Sequence, residues 1–209
     1  YSVSVRNPAP AACESAPAAE TDLTVVPPPT VNANLSPDII CTADGPNTIT
    51  VAGADFLSID DGAMVHLPTV NLTSGATTVT LPADAVSGTC AAVSGPNDDV
   101  QACDRLTFTV PQDHAMLVPG NWAVTVTNPV HPVATTLTPC TSNTAFNLTI
   151  VPPPDLATIE PEDLICSSDS ATVMTLTANI TDPTMEYGGF LSVDGALPTV
   201  SVGGTLITA

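Results

Sequence analysis

Two stretches of the chain are nearly identical: residues 22–30 read DLTVVPPPT and residues 147–155 read NLTIVPPPD. A run of three prolines favours the extended polyproline II conformation, lacks backbone N–H donors and cannot continue a helix or a central strand. Each run therefore predicts a semi-rigid spacer between folded parts of the chain.

The similarity continues after each proline run. The segment VPPPTVNANLSPDIIC (26–41) matches VPPPDLATIEPEDLIC (151–166), with Val, the three Pro, Asp, Ile and Cys in common. Further on, FLSIDDGAMVHLPTV (56–70) matches FLSVDGALPTV (190–200) once gaps are allowed. Self-similarity of this kind indicates tandem copies of one structural unit.

The segment before each proline run repeats as well. Residues 1–29 mirror residues 122–154, with an aromatic residue, alternating Val/Ser/Thr, Asn-Pro and Cys in the same order. Three matched segments in a consistent order predict that the chain is a window cut from a longer array. The predicted divisions are the closing strands of one repeat (1–26), a linker (27–29), a complete repeat (30–151), a second linker (152–154) and the first part of a third repeat (155–209).

Short alternating runs of apolar and polar residues, rich in Val, Thr and Ile, fill the complete repeat and end at Gly, Pro, Asn or Asp. The 22 prolines argue against long helices, and a hydrophobic content of 44% is enough for a packed core. About seven strands in one repeat predict an all-β fold, an antiparallel β-sandwich. The predicted strands are 47–56, 63–73, 77–86, 105–111, 121–129 and 145–151.

The charge of the chain limits its partners. Two basic residues, Arg6 and Arg105, stand against 21 acidic residues, for a net charge of −19. Phosphate backbones and anionic lipid headgroups are bound by Lys and Arg, so nucleic acid and anionic membrane surfaces are excluded. No apolar run approaches the roughly 18 residues that a membrane-spanning helix needs, so no membrane insertion is expected.

Both ends of the complete repeat resemble an immunoglobulin-like family. LSPDIICTADGPNTITVAGADF (35–56) is similar to the opening of IPT/TIG domains, in which a Ser-Pro step and a Gly-containing turn precede a strand, Gly and an aromatic residue. NWAVTVTNP (121–129) and AFNLTIVPPP (145–154) are similar to the closing pair of strands. The added cysteines, the long segment 86–104 and the high proline content depart from the family pattern.

The resemblance implies tandem immunoglobulin-like β-sandwiches joined by Pro-rich linkers. Tandem copies in this family occur in bacterial surface proteins as stalks, adhesins or carbohydrate-associated modules. An extracellular or cell-surface location is therefore expected.

Four of the six cysteines follow the repeat, since Cys13 corresponds to Cys140 and Cys41 to Cys166. Without CxxC spacing they do not form a zinc pattern, and they predict disulfides in an oxidising compartment. Two pairings stay open. A Cys41–Cys140 bridge would close one repeat, because the first and last strands of immunoglobulin-like folds lie side by side, and this pairing is favoured. Alternatively, Cys13–Cys41 and Cys140–Cys166 bridges would cross the linkers.

The remaining cysteines, Cys90 and Cys103, flank a turn-rich loop, AAVSGPNDDVQA. A local disulfide is the simplest pairing for them. Closing a loop of this size would stabilise the fold by roughly 3 kcal/mol in the chain-entropy model.

Acidic residues gather in two loops of the complete repeat. Converging carboxylate and carbonyl oxygens bind calcium, so calcium is a candidate ligand. The favoured alternative is that these are solvated turn residues, since Asp-Gly is a standard turn signal. The candidate calcium ligands are Asp55, Asp60, Asp61, Asp98 and Asp99.

Asn-x-Ser/Thr sequences occur at four positions, Asn34, Asn71, Asn147 and Asn179. A proline follows the first of these sequences, which makes it the poorest acceptor. The other three are candidate glycosylation sites.

No catalytic pattern is present in the sequence. The histidines, His66, His114 and His131, lie in unlike contexts, and no GxSxG, P-loop, HExxH or EF-hand spacing occurs. The chain is therefore not expected to be an enzyme.

The leading hypothesis is a structural repeat of an extracellular stalk or filament. Its partners would be neighbouring repeats and other copies of the chain, because strands without a single lysine leave sheet edges weakly protected and open to edge pairing. The alternative is an adhesin or carbohydrate-binding module. An aromatic content of only 3% argues against exposed sugar platforms.

Overall fold

Strands account for nearly all regular structure in the computed structural model, which confirms the all-β prediction. The described residues contain thirteen β-strands and one short 3-10 helix, Thr42–Asp44. The structure describes residues 3–10, 13–16, 25–93, 99–130, 138–143, 146–160, 173–178, 189–190, 192, 195–202 and 205–207.

Nine strands of the central region form one sheet in the order β1-β3-β7-β6-β5-β8-β9-β2, with β4 paired to the end of β3. Neighbours are antiparallel except β2 and β9, which are parallel. The strands are β1 (Thr30–Ser36), β2 (Ile39–Cys41), β3 (Asn47–Asp60), β4 (Val65–His66), β5 (Thr69–Ser74), β6 (Thr77–Ala92), β7 (Val100–Val110), β8 (Gly120–Thr127) and β9 (Phe146–Val151).

Strand β6 belongs to both halves of this sheet. Its first part pairs with β5 as far as Pro82, and its second part pairs with β7 from Ala83 onwards. Proline cannot donate to a ladder and is found at strand edges or irregularities, and the register of the β6–β7 pair shifts next to it. The sheet therefore curls around this strand and encloses one large core.

The core consists of inward-facing residues from both halves of the curled sheet. Strand β8 shows the period of two expected for a strand with one buried face, since Trp122, Val124 and Val126 are buried and alternate with more exposed residues. The Trp122 indole N–H donates a hydrogen bond to the Val118 carbonyl at 2.9 Å, which satisfies the one polar atom of this large buried side chain.

The second strand in sequence, β2, pairs with the last strand of the central sheet, β9. The chain passes from β1, which pairs with β3, to β2, which pairs with the end of β9 so that Cys41 lies opposite Val151. At the other end of the sheet, Val26 packs against a small apolar cluster that contains Leu57 and Ile59. The chain therefore enters the central sheet at one end and leaves it at the other.

Two hairpin-like pairs follow in the C-terminal part, β10 (Leu156–Glu160) with β11 (Thr175–Ala178) and β12 (Val200–Val202) with β13 (Thr205–Ile207). By sequence, β10 is the counterpart of β1 and β12 is the counterpart of β5. Both β1–β3 and β10–β11 are antiparallel with one register irregularity, and both β5–β6 and β12–β13 are antiparallel with a regular register.

Candidate functional site

The candidate calcium loop follows β3 and folds around its own backbone. Asp60 accepts a hydrogen bond from the Gly62 N–H at 2.9 Å, and Asp61 accepts from the N–H groups of Ala63 and Met64 at 2.9 and 2.8 Å. The second oxygen of the Asp61 carboxylate contacts His66 Nε2 at 2.9 Å. These two carboxylates therefore stabilise the turn by accepting its backbone N–H groups.

The charge on Asp61 is favoured by these contacts. The hydrogen bond from His66 and those from the backbone of Met64 and Ala63 hold the pKa of its carboxyl well below the usual range for aspartate. Asp61 therefore stays ionised in acid that would protonate an ordinary exposed aspartate.

The other candidate calcium ligands do not complete a site in the described residues. Asp99 lies beside Asp60, whose N–H donates to the Asp99 carbonyl at 3.0 Å, and one Asp99 carboxylate oxygen is buried without a hydrogen-bond partner. Asp55 lies earlier on β3, and Asp98 lies outside the described residues. No three described His, Cys, Asp or Glu side chains are grouped to hold a metal ion, so calcium binding stays a prediction.

Cys90 and Cys103 form a disulfide that joins the second part of β6 to β7. This is the local pairing that their turn-rich loop predicts. The bridge is typical of proteins that fold outside the reducing cytoplasm.

The favoured Cys41–Cys140 bridge is not formed. Cys41 lies beside Val151, next to the start of β8, whereas the Cys140 carbonyl accepts a hydrogen bond from Asn128, just after the end of β8. The length of β8 separates the two cysteines by roughly 25 Å, and a disulfide needs Cα atoms within about 7 Å. The reason for the difference is direction: β2 runs parallel to β9 and carries Cys41 to the far end of the sheet.

Three of the four cysteines in the alternative pairing across the linkers lie in the described residues. Cys41 is not bonded to Cys13, because its thiol is free in the described structure. Cys140 is likewise not in a disulfide in the described structure, and Cys166, its predicted partner, lies outside the described residues.

The candidate glycosylation sites differ in their surroundings. Asn71 lies on the central strand β5, where its amide donates to Thr127 at 3.1 Å and accepts from Thr80 at 2.7 Å. Asn147 is exposed on β9. Asn179 and the side chain of Asn34 lie outside the described part of the chain, and glycosylation stays a prediction.

The histidines form no catalytic arrangement in the described residues. His66 pairs with Asp61, and His114 closes a turn in which its carbonyl accepts from the Leu117 N–H at 2.9 Å. His131 lies outside the described residues.

The site that the sequence did not predict is a backbone motif after β8. The Asn128 N–H donates to the Cys140 carbonyl at 2.9 Å, and the Ser142 N–H donates to the Val126 carbonyl at 2.8 Å. The Ser142 hydroxyl in turn accepts from the Val126 N–H at 3.1 Å. The loop that leaves β8 is thus tied back onto the end of β8.

The same motif occurs near the start of the chain. The Asn7 N–H donates to the Cys13 carbonyl at 2.9 Å, the Ser15 N–H donates to the Val5 carbonyl at 2.9 Å, and the Ser15 hydroxyl accepts from the Val5 N–H at 3.0 Å. Each bond has its equivalent in the later motif. The order Asn-Pro, then Cys-x-Ser, in both segments is the sequence signal that accompanies it.

Comparison with protein-family models, with curated proteins and with solved structures finds no match to this chain. The resemblance to IPT/TIG domains therefore stays a prediction. In the part of the chain that the structure describes, no helix is long and apolar enough to cross a membrane.

Proposed function

We propose that the chain is a non-catalytic structural segment of an extracellular stalk or filament built from tandem immunoglobulin-like domains. The observation that carries the proposal is the repeated backbone motif. Three hydrogen bonds around Asn7, Cys13 and Ser15 recur around Asn128, Cys140 and Ser142. Two segments of similar sequence thus have the same local structure, as copies of one unit would.

The strand order of the central sheet supports the immunoglobulin-like part of the proposal. Immunoglobulin sandwiches place their first, second, fifth and fourth strands in one sheet and their third, sixth and seventh in the other. Here one half has the order β1-β3-β7-β6 and the other β6-β5-β8-β9, with the early strand β2 beside the last one. The difference is that β6 runs through both halves as one continuous strand.

The positions of the two linkers support an extended arrangement. Residues 27–29 lead into the central sheet from the end where Val26 packs, and residues 152–154 follow Val151 at the opposite end. Units joined in this way follow one another along an axis. Proline-rich spacers are semi-rigid and keep such units apart.

Sugar binding has little support among the described residues, where Phe190 is the one aromatic side chain that is exposed. Carbohydrate sites are commonly built on exposed aromatic rings. The Trp122 side chain, at 1% exposure, is part of the core.

The proposal is tested by negative-stain imaging of the native assembly. We expect long, uniform fibres or stalks with an axial repeat of one domain, and mass mapping should detect the Cys90–Cys103 bridge in material isolated from outside the cell. Compact particles without an axial repeat would contradict the proposal.

A further inference from the structure

An apolar segment near the start of the chain is exposed, whereas its counterpart in β8 is buried. The side chains of Val3 and Val5 are 44% and 68% exposed, whereas the equivalent residues of β8, Val124 and Val126, are fully buried. In the central sheet, β5 pairs with one edge of β8 and its half of the core covers these side chains.

The C-terminal part exposes the complementary residues. Phe190 is 42% exposed and Leu156 is 45% exposed, whereas their counterparts Phe56 and Val31 are buried in the central core. Strand β12, the counterpart of β5, pairs with β13 on one edge and with no other described strand. Among the described strands its second edge is therefore unpaired, and this is the edge that β5 offers to β8.

The central sheet supplies the register for joining these two edges. Val70 lies opposite Val126, Asn71 opposite Thr125 and Leu72 opposite Val124 in the antiparallel β5–β8 pair. By the sequence repeat, Val200, Ser201 and Val202 correspond to the β5 residues, and Val5, Ser4 and Val3 to those of β8.

We propose that the segment of residues 3–6 binds, as an added strand, to strand β12 of a second copy of this chain. The pairing is antiparallel, with Val200 opposite Val5 and Ser201 opposite Ser4. The two segments attach to opposite ends of the central sheet, which favours pairing between copies over pairing within one. The result is head-to-tail association, which rests on the proposed structural function and names the surfaces that carry it.

The strength of this association follows from what the two segments contain. They reproduce the β5–β8 pairing, but the counterpart of β7 is in neither of them, so the joined sheet buries less than the central core does. The net charge of −19 adds repulsion that salt screens within about 10 Å at 0.1 M ionic strength. We therefore expect weak association that increases with protein concentration and with salt.

Sedimentation velocity on the 209-residue chain over a concentration series tests the proposal. We expect oligomers that grow with concentration, and Val5→Asp should raise their dissociation constant by about tenfold or more, because it places a charge in an apolar contact. Val118→Asp is the matched control, since Val118 is 59% exposed and has no place in the interface. Circular dichroism verifies that both variants keep the sheet.

The register is tested by mixing two cysteine variants, Ser4→Cys and Ser201→Cys. Oxidation should give a disulfide between these two positions on different chains, identified by peptide mass spectrometry. A mixture of Ser4→Cys with Thr205→Cys, on the neighbouring strand β13, should cross-link at least several-fold less.

A chain that stays monomeric at every concentration would overturn the proposal. So would oligomers equally sensitive to Val5→Asp and Val118→Asp, or a cross-link formed within one chain of a doubly substituted variant. None of these results bears on the axial repeat that is expected in images of the native assembly, so the two proposals fail separately.

Discussion

The buried side chain of Asn128 connects separate parts of the central sheet. Its amide donates to the Asp55 carbonyl at 2.8 Å and accepts from the Leu57 N–H at 3.1 Å. The register of β3 against β7 shifts in this region, and Asp55 has a positive φ of 61°, so these backbone groups depart from the regular ladder. Asn128 replaces the missing ladder bonds with its side chain.

Replacing Asn128 by alanine should therefore destabilise the fold. The change leaves a buried N–H and a buried carbonyl without partners, and the expected loss in the free energy of unfolding is about 2–3 kcal/mol. Urea denaturation measures it. Asn7→Ala, at the equivalent but exposed position, is the matched control and should have little effect. Equal losses in both variants would contradict the role given to Asn128.

The lowered pKa of the Asp61 carboxyl predicts how the loop after β3 responds to acidic pH. The pKa of this carboxyl is lowered in the folded state, chiefly by the hydrogen bond from His66. The ionised form therefore stabilises the loop at pH values above the unfolded-state pKa. This stabilisation is lost as the pH falls through the folded-state pKa. The amide NMR signals of Ala63 and Met64 should therefore stay in place down to the ordinary value of 3.8 and move only below it. Asp61→Asn should abolish that titration, and a midpoint at or above 3.8 in the native chain would contradict the expectation.

At the level of elements, the disulfide fixes the part of β6 that the core does not hold. The residues of β6 after Val86 are exposed, and Cys90 lies directly opposite Cys103 on β7. The bridge thus holds a strand end that buries little apolar surface.

Removing the bridge should lower stability without changing the fold. We expect the double variant Cys90→Ser, Cys103→Ser to lose up to about 3 kcal/mol, because the unfolded chain is no longer constrained by a closed loop. Cys41→Ser, which breaks no bridge in the described structure, is the control. Thermal unfolding of the three proteins gives the comparison, and an unchanged midpoint in the double variant would refute this role.

The strands with one buried face were predictable, and the others were not. Alternation predicts β3, β5, the first part of β6, β7, β8 and β9, because their inner side chains enter the core. The segment 86–104 had no such pattern, since the end of β6 is exposed and alternation records burial.

The site residues show a similar limit of sequence reasoning. A local pair such as Cys90 and Cys103 can be inferred from the loop between them. The separation of Cys41 from Cys140 depends on strand direction, which residue pattern does not record. The role of Asn128 depends on the register irregularity in β3, which is distant in sequence. The repeated Asn-Pro pair is the one sequence signal at this position.

At the scale of the whole molecule, the large apolar cluster belongs to the central region of the chain. Every residue of the large apolar cluster lies between Val31 and Ile150. We therefore expect an excised segment of residues 27–154 to fold alone and to unfold cooperatively, at a midpoint close to that of the full chain. Circular dichroism and calorimetry test this, and a segment without a cooperative transition would show that the core needs the flanking parts.

The parallel contact between β2 and β9 determines how the central sheet responds to force. If the two proline runs act as linkers, tension through them should pull the early and late strands in opposite senses along their own lengths. Residues 39–41 and 149–151 are then loaded in shear, so that their hydrogen bonds must break together and not one after another. We expect a tandem chain of such sheets to resist stretching up to a threshold and then to yield one sheet at a time.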